Sequence, residues 1–136
     1  MNIIKFENND EDNLKIFIKD NGGTDFISND NVRKIYLLKD KNNILGYIAY
    51  NVILPEAEVL YLLVDKNNRN KGLGFKLLNE SLDIMKNEGV SKCFLEVDIE
   101  NNSAYNLYKK LGFIEISKRM KYYDNGNDSI VMEKEI

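Results

Sequence analysis

The sequence predicts an α/β fold of the α+β kind: one mixed sheet with helices packed on it. Three observations carry this expectation. Short apolar runs rich in Ile, Val, Leu and Tyr recur along the chain, separated by clusters of Asn, Asp and Gly. Between them lie stretches whose apolar residues return at helical spacing, notably Leu73, Leu77, Leu78, Leu82 and Met85. The run from Glu58 to Val64 is apolar almost throughout, the pattern of a strand covered on both faces.

The elements follow in order. Met1 to Phe6 reads as a short edge strand, and Asp12 to Lys19 as a helix that Gly22 and Gly23 end. Val32 to Lys39 and Ile44 to Leu54 read as a hairpin about the polar turn Asp40 to Asn43. Pro55 and Glu56 break the run before the central strand Glu58 to Val64. After the polar loop Lys66 to Lys71 a helix starts at Gly72 and reaches residue 88, where Gly89 caps it. Val90 to Asp98 is the next strand. Asn101, Asn102 and Ser103 open a helix with Ala104, Leu107, Tyr108 and Leu111 on one side, and Gly112 stops it. Ile114 to Tyr123 and Ser129 to Lys134 close the chain as strands around the turn Asp124 to Asp128. No internal repeat or linker interrupts the order, so residues 1–136 are expected to form a single domain.

Composition narrows the chemistry. The net charge is −3 and no long basic block is present, which argues against a nucleic-acid ligand. No apolar run approaches membrane-spanning length, so no membrane role is expected and a cytoplasmic location is. With no histidine and one cysteine, the chain lacks a His-centred triad, an imidazole ligand and a thiolate cluster, so no metal is expected. Acid and base work then falls to Asp, Glu, Lys or Tyr. Cys93, within the apolar run Cys93-Phe94-Leu95, reads as a buried structural thiol. The twenty asparagines read as compositional drift without chemical purpose.

Three features can carry chemistry. In Arg69-Asn70-Lys71-Gly72-Leu73-Gly74 a strand runs through a turn into a helix, so backbone N–H groups of the first helical turn are available to an anion. Arg69 and Lys71 add positive charge beside them. Alone, the motif fits a tight structural turn as well as a phosphate cradle. It is not a Walker loop, and Leu77 stands where a dinucleotide fingerprint has its third glycine. Glu96, between Leu95 and Val97, is either a base in an apolar setting or a carboxylate on a wet face or paired with lysine. Tyr108 is by default buried aromatic packing with its hydroxyl bound to the backbone.

Taken together, three segments resemble the GNAT family of acyl-CoA-dependent N-acetyltransferases, and more narrowly its RimI-like branch. They are Glu56 to Asp65 with Arg69 to Gly74; Leu95-Glu96-Val97 with Asn101, Ala104 and Leu107 to Phe113; and Arg119 to Tyr123 with Asp128 and Met132. The resemblance covers residues 56 to 134. It implies the acyl-CoA N-acyltransferase fold, a mainly antiparallel twisted sheet flanked by helices.

The resemblance also implies acetyl-CoA as acetyl donor. Its contacts would be Leu62, Leu63 and Val64 of the strand, Arg69, Asn70, Lys71, Gly72, Leu73, Gly74 and Phe75 of the turn, and Asn101 and Tyr108. Glu96 is implied as general base, acting directly or through water, and Tyr108 as general acid to the departing thiolate. Glu56, Tyr61, Tyr122 and Tyr123 are implied on the acceptor side. The implied acceptor is the N-terminal α-amine of a protein, in this branch the alanine of a ribosomal protein. Lysine side chains, polyamines or other small amines are the alternative acceptors, and an acetyl-CoA-binding regulator with little turnover is the non-enzymatic one. The chain departs from the branch at Tyr61-Leu62-Leu63-Val64, where an Asn-x-Ala-Val-like run is usual, and at Asp98, where Arg is common. Its short region before Val32 has no counterpart to a Phe-Pro-Trp-like segment. All three departures concern the acceptor more than the donor.

Overall fold

A computed structural model describes all 136 residues. In chain order its elements are β1 (Asn2–Lys5), α1 (Glu11–Asp20), β2 (Arg33–Asp40), β3 (Asn43–Ile53), β4 (Glu56–Val64), α2 (Leu73–Asn87), β5 (Lys92–Asp98), α3 (Asn102–Lys110), β6 (Ile114–Arg119) and β7 (Ser129–Glu135). The seven strands form one sheet in the order β1-β2-β3-β4-β5-β7-β6. Every neighbouring pair is antiparallel except β4 with β5. The expected mixed, mainly antiparallel sheet flanked by helices is therefore the architecture.

The strand expected from Val90 starts at Lys92, and two further boundaries differ from the expectation. Glu56 already belongs to β4, paired with Ile53, so only Leu54 and Pro55 form the break. The strand expected to reach Tyr123 ends at Arg119, because Lys121 adopts a left-handed backbone (φ 50°) that no strand accommodates. Tyr122 and Tyr123 therefore sit in a loop.

Side-chain alternation sorts the sheet into two unequal faces. The first face packs Tyr36, Leu38, Ile48, Tyr50, Val59, Cys93, Leu95, Val97, Ile130 and Met132 against Leu77, Leu78, Leu82 and Met85 of α2 and Tyr108 and Leu111 at α3. On the second face α1 buries Leu14, Phe17 and Ile18 against Ile35, Leu37, Tyr47, Ala49 and Leu63, drawn from β2, β3 and β4 alone. The second face of β5, β7 and β6 carries no helix core, and by parity Phe94, Glu96 and Asp98 point that way. Cys93 is fully buried as expected, and burial pushes its thiol up to about 12.

Helix ends are closed in the same way. After α3, Gly112 N–H donates to Lys109 C=O (3.0 Å) and Phe113 N–H to Tyr108 C=O (3.0 Å), a Schellman pair made possible by Gly112 at φ 98°. The pair turns Phe113 back under the helix, where its ring meets Tyr108 edge-on at 6.0 Å. A local C-cap thus fixes the tyrosine's orientation.

The core holds Tyr36, Tyr47 and Tyr50 fully buried, with Tyr50 Oη 2.7 Å from Ser81 Oγ. Burial pushes Tyr36 up to about 12 and Tyr50 well above its ordinary value. A raised tyrosine contributes its stability below the unfolded-state value near 10, and that contribution is lost as pH rises toward the folded value. Urea midpoints are therefore expected to stay level up to about pH 8, to begin falling once the unfolded-state value of the Cys93 thiol near 8.5 is passed, and to fall more steeply in a second window between pH 10 and 12, where the tyrosines join it. A midpoint unchanged across that second window would contradict the tyrosine burial.

Candidate active site

The site begins with a strand pair that stops pairing. β4 and β5 are bonded only over Glu56–Glu58 and Lys92–Phe94. Just beyond, the β3 partner of β4 jumps from Val59 to Tyr61, which leaves Leu60 as a bulge residue. A bulge bends its strand and increases local twist. Here it carries the second half of β4 away from β5 and opens a cleft of about 570 Å³ between them.

The backbone of β4 lines one wall. Asp65 N–H donates to Leu45 C=O at 2.8 Å, which fixes the antiparallel alternation. Val64 and Leu62, at the non-bonded positions, turn their N–H and C=O groups away from β3 and toward the cleft. Val64 C=O accepts from Arg69 Nε at 3.3 Å, so the arginine curls back over the strand end.

At that end the chain turns into α2 through Gly72, whose left-handed backbone (φ 78°) any side chain would strain and above which a Cβ would meet nothing within 4 Å. The amides of Asn70 through Phe75 make no hydrogen bond within the chain, and the first closed turn is Lys76 N–H to Gly72 C=O at 3.0 Å. This row of free donors at a helix start has the chemistry of an anion site. Gly74 faces the cleft side instead, where a Cβ would touch Leu107, Leu62 and Val64 at 3.5–3.7 Å.

Glu96 projects from β5 into the same cleft. Its surroundings are not the apolar ones expected from Leu95 and Val97, which point to the opposite face. Its Oε2 accepts from the buried Ser129 hydroxyl at 2.8 Å and its Oε1 lies 3.3 Å from Arg119 Nε. The carboxylate, with its side chain 16% exposed, is thus oriented by a hydroxyl and a cation while staying open to the cleft. Arg119 in turn lies over the Tyr122 ring at 5.2 Å.

Tyr108 reaches the cleft from α3. Its hydroxyl makes no hydrogen bond to the chain, contrary to the default of backbone satisfaction, yet no buried side-chain polar atom lacks a partner. The oxygen is therefore accessible from the cleft. Burial pushes its pKa up to about 12, with Tyr123 and Cys93 adding to the shift. Asn101 lines the cleft while its Oδ1 caps α3 through Ala104 N–H at 3.1 Å.

The cleft brings together Tyr61, Leu62, Val64, Arg69, Asn70, Gly72, Leu73, Gly74, Phe75, Glu96, Asn101 and Tyr108 of the residues singled out from the sequence. Leu63 points into the core beneath α1, and Lys71 Nζ is engaged with Asn68 at 3.1 Å. Glu56 lies at the opposite, paired end of β4. Tyr122 and Tyr123 lie in the loop after β6, beside Glu96 through Arg119. Sequence reasoning missed Ser129 and Arg119 as partners of Glu96. Only the register Glu96–Val131 with Arg119–Ser129 brings the three together. It also missed Leu107 and Lys110, the latter lying over the Phe75 ring at 5.2 Å. No group of three or more metal-ligating side chains is present, and no helix is long and apolar enough to cross a membrane.

Comparison with known proteins adds four findings. The model of the acetyltransferase (GNAT) family matches residues 5–113. The [ribosomal protein bS18]-alanine N-acetyltransferase of Escherichia coli K12 is 33% identical over 111 residues, 79% of this chain and 75% of that one. N-alpha-acetyltransferase 30 of Schizosaccharomyces pombe is 37% identical over 71 residues, 52% of this chain but only 47% of that longer one. In three dimensions, the crystal structure of the E. coli ribosomal-protein-S18-alanine N-acetyltransferase superposes with a TM-score of 0.88 at 26% identity, covering 99% of this chain and 93% of that one.

The free amides give a direct test. Titration of inorganic pyrophosphate into ¹⁵N-labelled protein is expected to shift the Asn70 to Phe75 amide resonances first. Shifts confined to other lysine-bearing surfaces would place the anion site elsewhere.

Proposed function

The chain belongs to the acetyltransferase (GNAT) family, and from that membership we propose that it acetylates the N-terminal α-amine of a protein, the alanine of a ribosomal protein being the acceptor class. It is an acetyl-CoA-dependent acetyltransferase by family. The observation that carries the proposal is the co-location in one cleft of a free amide row, a cleft-facing strand backbone, Glu96 and Tyr108. The name of the E. coli relative supports the acceptor class.

The residues present fit the donor. The amides of Asn70 to Phe75 would hold its diphosphate, with Arg69 adjacent, and Leu62, Phe75 and Leu107 offer an apolar channel for its arm. When bound, acetyl-CoA supplies the acetyl group as an activated thioester. The Val64 N–H, facing the cleft, would stabilise negative charge developing on the acyl oxygen.

Glu96 takes the amine proton. An α-amine has a pKa of about 7.7–8.0, so a modest base suffices near neutrality, whereas a lysine near 10.4 needs far more help. Ser129 occupies one lone pair of the carboxylate and Arg119 is ion-paired with the other oxygen, which leaves lone pairs for the amine or a bridging water. Tyr108 serves the leaving sulfur. A phenol at about 12 keeps its proton throughout the neutral range. Against a thiol near 8.5 its first contribution is a hydrogen bond to the sulfur as charge builds, with proton transfer following. No covalent enzyme intermediate is needed.

Glu96→Gln is expected to retain acetyl-CoA binding and to lower kcat at pH 7 by on the order of 10²-fold or more. Tyr108→Phe is expected to lower kcat by at least about tenfold with KM for acetyl-CoA little changed. Full turnover in either variant removes that residue from its role. To identify the acceptor, the protein is incubated with acetyl-CoA and peptides starting with alanine and with other residues, and the added acetyl is located by mass spectrometry. Acetyl on the terminal amine is the expected result. Acetyl confined to internal lysines or polyamines would overturn the acceptor assignment, and donor binding without transfer to any amine would overturn the enzymatic one.

A further inference from the structure

We propose that Asp98 is a positioning residue, clamping the loop of residues 120–128 to the end of β5 and so fixing Tyr122 and Tyr123 as the acceptor-side wall. The inference rests on the functional reading above for the word acceptor, but its geometry is independent of it. Asp98 lies two residues beyond Glu96 on the same face of β5. Its Oδ2 accepts from Asn125 Nδ2 at 3.0 Å, and its Oδ1 from Asn127 Nδ2 at 2.9 Å and from the Glu100 amide at 2.9 Å. Alongside, Ile99 N–H donates to Asp128 C=O at 3.0 Å. An ionised carboxylate only accepts, and the two asparagine amides supply the matching donors.

The clamp reaches the tyrosines through one residue. Asn127, held by Asp98 through its side chain, accepts from Tyr123 N–H through its own C=O at 3.2 Å. Asp128 Oδ1 accepts Lys121 N–H at 2.8 Å and closes the base of the loop. Little apolar burial assists: Met120 is 74% and Tyr122 49% exposed. Polar bonds to β5 therefore hold the loop. The held loop sets Tyr122 edge-on to Tyr123 at 5.1 Å and beneath Arg119, whose Nε is 3.3 Å from Glu96. Hydrogen bonds from Asn125 above all keep the Asp98 carboxyl below its ordinary range, so the clamp is charged at neutral pH. If Asp98 did no more than close the turn at Glu100, its loss would affect donor and acceptor alike.

The test compares Asp98→Ala and the double variant Asn125→Ala/Asn127→Ala with wild type in steady-state kinetics. The acceptor is an alanine-starting peptide, or whichever amine the wild type acetylates. Asp98→Ala is expected to raise KM for the acceptor by about tenfold, as fits the loss of hydrogen bonds to a charged group, with KM for acetyl-CoA within about twofold. The double variant is expected to match it, and combining all three changes to add nothing further. Asp98→Asn, which keeps one acceptor oxygen, is expected to recover part of the loss. Hydrogen exchange read by mass spectrometry is expected to quicken in 121–128 and not in α2. Equal changes in both KM values, an unchanged acceptor KM, or additive losses on combination would each overturn the proposal. A wild type that acetylates only lysines or polyamines would refute the α-amine reading alone, and the KM comparison with that amine would still decide the role of Asp98.

Discussion

The constraint on which this structure turns is that β4 and β5 hydrogen-bond over three residues and then part. Buried backbone N–H and C=O groups need partners, so a gap opened inside a sheet is unfavourable unless water or a ligand fills it. The Leu60 bulge determines where the gap starts, and the turn at Gly72 ends it with six free amides. Nearly every cleft residue owes its position to that parting. Val64 has no strand to pair with on its β5 side, α3 can lay Tyr108 across the opening, and Glu96 is reachable because no helix covers its face of β5. The fold's least satisfied region and its chemical centre coincide.

The two ends of the cleft differ in sign. Beside Gly72 lie amide donors and Arg69, which suit an anion. On the open face of β5 lie Glu96 and Asp98, which suit an amine. A reaction between an anionic carrier and a basic nucleophile needs that polarity, and the sheet supplies it by directing α2 and β5 to opposite rims. Arg119 is the exception at the acidic end, and its contacts with Glu96 and Tyr122 show why: it links the carboxylate to the loop after β6.

Much of this was legible in the sequence, for identifiable reasons. The α2 helix declared itself by its leucines, the turn by Gly72, and β5 by alternation around Glu96. These are local signals, and each element formed close to where it was expected. The bulge at Leu60 carried none, since Leu60 sits in an unbroken apolar run and its role depends on the partner strand. Ser129 and Arg119 were invisible as partners of Glu96 because strand register, not sequence distance, brings them together. Asn125 and Asn127, read as compositional drift, prove to have specific partners in Asp98. Polar residues in loops acquire purpose only once the fold supplies something to bind.

Strand β6 is exposed along its whole length and lies at the sheet edge, held by its ladder to β7. It buries little apolar surface, so the free energy of opening the β6–β7 hairpin is set by a handful of hydrogen bonds and is much lower than that of unfolding the α2-backed core. The tip of that hairpin carries Tyr122 and Tyr123. Opening that tip therefore costs less than disturbing the helix-backed side of the sheet. Substitutions that tighten the core would raise the melting temperature without slowing the motions of this hairpin, whose opening is an equilibrium that global stability does not report.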